Sequence, residues 1–151
     1  MPISWFQSLW DSVGKWDTPD WVLAYEAFYS SGYVYMAAAV RGLRIIDVSN
    51  PKFPREVGNV SPPGNIDAKG IYVDGEYAYI ASGDKGLRII KVLDPKNPID
   101  IKSYDTPGDA IGIYVKGKYA YLADGNNGIL VFDISVPEAP KEIGKCSIPG
   151  E

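Results

Sequence analysis

The sequence predicts an all-β fold: a β-propeller-type repeat array of three four-stranded blades, preceded by a lone outer strand of the fourth, D type. Three observations predict it. Segments beginning at Gly32, Glu76 and Lys118 align without gaps, at spacings of 44 and then 42 residues. Each segment carries short tyrosine-rich and aliphatic runs of strand character, not helical periodicity. Each also carries a P-x-x-P step at the same place: Pro51/Pro54, Pro95/Pro98 and Pro137/Pro140. A fixed period of about 40–45 residues built from four strands is the signature of a propeller blade. A flat β-solenoid is the alternative, but its coils are normally much shorter.

Taken in chain order, each unit reads as strands A, B, C and D. Strand A lies in "AKGIYVDGEY" and "AIGIYVKGKY", where the Asp-Gly and Lys-Gly pairs make a tight hairpin into strand B. Strand B is "YAYIA" or "YAYLA", with small residues alternating with tyrosines so that the strand packs closely. "GDKG" and "GNNG" follow, turn residues that tolerate positive φ. Strand C, "LRIIKV" or "ILVFDI", is almost continuously aliphatic, as expected where both faces of a sheet are covered. The prolines then interrupt the ladder, because proline offers no N–H to a central strand. The weaker strand D follows as "REVGNV", "DIKSY" or "KEIGKC".

The motifs "GLRIIDVSNPKFP", "YAYIASGDKGLRII" and "SYDTPGDAIGIYV" resemble LVIVD repeats, a propeller-forming repeat named for its aliphatic strand. The resemblance covers residues 21–150. The third unit departs from it, with Ile129 and Leu130 where the others have Leu-Arg. It implies a propeller from bacterial or archaeal proteins, often exported or surface-exposed and mostly without a defined activity. It supplies no catalytic residues.

Register also assigns the amino terminus. Subtracting 44 from Val57, Gly58 and Pro63 gives Val13, Gly14 and Pro19, so "SVGKWDTP" is a fourth copy of strand D. The expected division is residues 1–20 as an aromatic-rich segment with that orphan strand. Three blades then follow, about 21–64, 65–108 and 109–151, forming a single domain within a larger ring. Three blades are too few to close a ring, since propellers have about 4–8. Either further blades come from a longer or different polypeptide, or a second copy completes a six-blade ring. Trp10, Trp16 and Trp21 are the candidate assembly contacts, because an aromatic-rich terminus packs readily onto a partner surface. A local cap on the first blade is the competing reading.

Composition narrows function. The 151 residues contain no histidine and one cysteine, Cys146. Ser-His-Asp and Cys-His arrangements and histidine-ligated metal sites cannot be built within this chain. Nor can an intrachain disulfide. Cys146, among apolar neighbours, is expected to be buried. The net charge of −4, with both signs interspersed, gives no basic tract for nucleic acid. The first residues lack the basic and long apolar regions of a signal peptide, and no apolar run is long enough to span a membrane. The compartment stays open on the residues alone; the resemblance points to the cell surface or beyond.

Strand polarity sorts the loops onto two rims. The B–C turns and D–A connections share the upper one, which collects Asp84, Asp124 and Asn126 from the turns and Asp20, Asp67 and Asp109 from the connections. Carboxylates and amides there are candidate binding groups for a ligand or a hard cation such as calcium. Asp and Asn also belong in turns for local hydrogen bonding, and no Asp-x-Asp-x-Asp loop occurs. A carboxylate pair for glycoside hydrolysis is the minor alternative, with Glu26 and Glu76 lacking a visible partner. Arg44 and Arg88 interrupt strand C and are expected to pair with aspartates of a neighbouring blade. The reading is a non-enzymatic propeller module acting as a scaffold or protein-interaction surface. The runner-up is a ligand- or cation-binding propeller.

Overall fold

The computed structural model describes residues 23–61 and 67–149. The orphan strand proposed within residues 1–20, the tryptophan contacts Trp10, Trp16 and Trp21, and Asp20 lie outside the described residues.

Three four-stranded antiparallel sheets follow one another along the chain. Blade 1 is β1 (Glu26–Ser30), β2 (Tyr33–Ala37), β3 (Leu43–Asp47) and β4 (Arg55–Val60). Blade 2 is β5 (Gly70–Asp74), β6 (Tyr77–Ala81), β7 (Leu87–Lys91) and β8 (Ile99–Tyr104). Blade 3 is β9 (Gly112–Lys116), β10 (Tyr119–Ala123), β11 (Ile129–Asp133) and β12 (Lys141–Cys146). Within each blade the strands pair in chain order, A to D. Among the described residues the one helical element is a 3-10 turn at Gly125–Asn127, and no helix is long and apolar enough to cross a membrane.

The strand chemistry explains the stacking. Side chains alternate between faces, so each blade has a forward face toward the next blade and a backward face toward the previous one. Between blades 1 and 2 the forward residues Tyr35, Ala37, Leu43 and Ile45 meet the backward residues Ile71, Val73, Ala78, Ile80 and Ile90. Between blades 2 and 3, Tyr79, Ala81, Leu87 and Ile89 meet Ile113, Val115, Ala120, Leu122, Leu130 and Phe132. One pattern thus builds both seams. The closest approach between blades is through their first strands, β1 to β5 and β5 to β9, so strand A is the inner strand. Phe28, Tyr72 and Tyr114, equivalent residues of those strands, form an aromatic ladder with ring centroids 4.7 and 5.0 Å apart.

Each seam is also joined by backbone. Ala39 and Ala68 exchange two N–H···O bonds of 3.0 Å, and Gly83 and Ala110 exchange two of 2.9 Å. The first residue of each bridge sits in a B–C turn at positive φ, 48° at Ala39 and 54° at Gly83, and Gly125, the equivalent turn residue of blade 3, has φ 56°. The turns close on a second left-handed residue, Gly42, Gly86 or Gly128. This conformation favours glycine because it lacks a Cβ.

Strand D departs from simple pairing. In every blade the C–D register slips by one residue, between Ile45/Ile46, Ile89/Ile90 and Val131/Phe132. Val57, Ile101 and Ile143 are therefore the extra residues of three equivalent bulges, which increase the local twist of the outer strand.

Two expectations are corrected. Cys146 is exposed, because it ends β12 on the forward face of blade 3, where no described blade follows. Arg44 and Arg88 pair inside their own blades, not across a seam. Arg44 Nη1 donates to Glu56 at 2.8 Å, and Arg88 Nε donates to Asp100 at 2.8 Å. The bulge brings each strand-D acid alongside the arginine of strand C.

Candidate functional site

The upper rim is built from B–C turns and D–A connections, and at the seam between blades 2 and 3 its carboxylates fall into two groups. Lys69, just before β5, reaches across to Asp109, just before β9, with Nζ 3.0 and 2.9 Å from the two carboxylate oxygens. Asp67 lies 3.4 Å from the same Nζ. Hydrogen bonding to Asp109, opposed by desolvation and helped by both negative charges, raises the Lys69 ammonium above its usual pKa. The cation is therefore held, and it spends the charge of two of the predicted acids.

Asp124 occupies the second group and is fully buried. Its carboxylate accepts from Thr106 Oγ1 at 2.5 Å, from the Gly108 backbone N–H at 3.0 Å and from Asn127 Nδ2 at 2.8 Å. Thr106 and Gly108 belong to the connection out of blade 2, so the aspartate clasps blade 3 to that connection. Gly108 is required there: a Cβ would lie 2.0 Å from the Asp124 carbonyl oxygen. Asp124, expected among the exposed binding groups, is corrected to an internal acceptor whose oxygens are occupied by the chain.

The remaining rim residues do not converge on these groups. Asp84 is largely exposed beside Lys85 at 3.5 Å, and Asn126 is exposed. Lys145 instead donates to Asn127 at 2.6 Å. Among the described residues, no group of three or more His, Cys, Asp or Glu is arranged to hold a metal ion. Glu26, read from sequence without a partner, accepts the Ile71 backbone N–H at 2.8 Å and ties the inner strands of blades 1 and 2.

The forward face of blade 3 is the feature that sequence reasoning did not locate by residue. Tyr79, Leu87 and Ile89 on the equivalent face of blade 2 are at most 3% exposed. Their counterparts Tyr121 and Ile129 are 37% and 38% exposed, and Tyr114 and Ile143 on the same face are 57% and 56%. The residue types are those of a blade seam, and among the described residues nothing covers them. The signal was present in the repeat alignment, which assigns these positions to the seam-forming face of every unit.

Comparison with known proteins agrees with this architecture. The family model of the LVIVD repeat matches residues 29–61, 66–106 and 107–147, one match per blade. No curated protein matches the chain. Among solved structures, the crystal structure of the computationally designed protein Ika8 is similar at a TM-score of 0.59 and 7% sequence identity. The likeness covers 73% of this chain and 33% of that one, so the chain spans about a third of the designed protein and the likeness concerns the fold alone.

Proposed function

The chain belongs to the LVIVD-repeat family, and we propose that it serves as a non-enzymatic β-propeller scaffold or protein-interaction module. In this reading the working surface is the forward face of blade 3, which receives a further blade. One observation carries the proposal: residues that are buried in one seam of the molecule stand bare at the next equivalent position. An apolar face of this kind, continuous across four strands, marks an interaction site.

The alternative of a ligand- or cation-binding upper rim finds less support. Asp67 and Asp109 share Lys69, and Asp124 is consumed inside the fold. Ordinary turn chemistry accounts for the remaining acids.

The test combines mass in solution with binding of an apolar fluorescent dye. Under the proposal the chain either self-associates or binds the dye through the open face, and Tyr114→Arg with Ile143→Lys removes whichever is seen. A clean monomer that binds no dye overturns the proposal.

A further inference from the structure

Resting on that reading of the open face, we infer that its occupant is blade 1 of a second copy of this chain, giving a closed two-fold ring of six blades. The molecule carries both halves of the seam. Its forward half is blade 3. The backward half is the inner part of blade 1, where Ala24, Ala27 and Tyr29 are exposed and Val34 and Met36 half-buried. Ala27 and Tyr29 stand at the positions of Ile71 and Val73, and Val34 and Met36 at those of Ala78 and Ile80, all four of which are buried in the seam between blades 1 and 2.

Two specific contacts identify the match. In each seam a residue of the B–C turn bridges an alanine ahead of the next strand A, Ala39 with Ala68 and Gly83 with Ala110. The next turn residue in the series is Gly125, which has the same left-handed backbone and makes no such bridge among the described residues. The equivalent alanine in blade 1 is Ala24, exposed and unbridged among the described residues. Likewise the ladder Phe28–Tyr72–Tyr114 ends on Tyr114, and the residue that continues its repeat is Phe28 of the second copy. Two such steps close the ladder into a collar of six rings. Identical chains satisfy complementary faces of this kind by closed symmetry.

The experiment uses Ala24→Cys with Asn126→Cys in a Cys146→Ser background, all three at exposed positions, treated with a short bis-maleimide. The expected product is a single covalent dimer, twice the 16.5 kDa chain. The uncross-linked protein should have the same doubled mass, which Tyr114→Arg reduces to that of the monomer. A ladder of higher species overturns the closed pair in favour of an open head-to-tail chain that still uses the face. A monomer that does not cross-link but binds the apolar dye overturns the second copy and leaves the blade-accepting face standing. A monomer that binds no dye overturns both.

Discussion

Replacing Asp124 by alanine tests the clasp between blades 2 and 3. The substitution removes the acceptor of three hydrogen bonds, 2.5 Å from Thr106, 3.0 Å from Gly108 N–H and 2.8 Å from Asn127. The Asn127 amide can turn toward solvent. The Thr106 hydroxyl is buried and the Gly108 N–H half-buried, both fixed by the connection they belong to, and a buried donor left without a partner costs about 1–3 kcal/mol. One fully and one partly buried donor together cost about 2–5 kcal/mol. Part of this is returned because the buried carboxylate no longer has to be desolvated, so the net loss should fall at about 2–4 kcal/mol. Against a total of about 5–15 kcal/mol this is a large fraction. At about 2–4 °C per kcal/mol for a chain of this size, the melting temperature should fall by about 10 °C. Urea denaturation and calorimetry read both quantities. Asp84→Ala, at an exposed turn acid, should stay within about 0.5 kcal/mol of the parent. Thr106→Val combined with Asp124→Ala should be clearly non-additive, because the two share one bond. A loss below about 1 kcal/mol, or full additivity with Thr106→Val, would refute the clasp.

Four further outcomes follow from the same repeat logic. Ser82 holds the position of Asp124 in blade 2, is fully buried, and its hydroxyl has no partner among the described residues, so Ser82→Ala should raise stability by about 1 kcal/mol in urea denaturation. Ala39 adopts φ 48° where its equivalents are glycine, so Ala39→Gly should stabilise by about 0.5–1 kcal/mol, also read in urea. Burial first, and then the negative groups Asp74, Tyr77 and Glu138, push the Tyr79 pKa up to about 12. An unfolded tyrosine titrates near pH 10, so the stabilisation is fully present below about pH 10 and is lost as pH rises through 12. Tyr79→Phe should flatten this alkaline decline, measured by denaturation at a series of pH values. Finally, millimolar calcium should leave the melting temperature unchanged, whereas a rise of several degrees would return the rim carboxylates to the status of a cation site.

The architecture was legible because repetition converts weak local signals into strong ones. One "YAYIA" is an ambiguous strand; the same run twice, followed each time by a glycine-bounded turn and an aliphatic strand, is a blade. What escaped was whatever distinguishes one copy from the next. Asp124 looks like any turn aspartate, and only its register with Ala38 and Ser82, small residues that are fully buried, hints that the site is internal. The strand-D bulges have no local mark in sequence, and without them the pairing of Arg44 with Glu56 could not be assigned. Cys146 sits on a face that is apolar in each unit, but burial of that face depends on which blade follows. That is a property of the stack and not of the residues around the cysteine.

The reciprocal bridges between turn and following strand, Ala39 with Ala68 and Gly83 with Ala110, are made by main-chain atoms alone. A joint of that kind carries no side-chain address. Adding or deleting one whole unit, 42 to 44 residues, leaves the form of the main-chain bridge at every remaining joint unchanged, and only side-chain contacts such as those of Asp124 and Lys69 have to be refitted. Each blade touches only its neighbours, so the cost of such a change stays local.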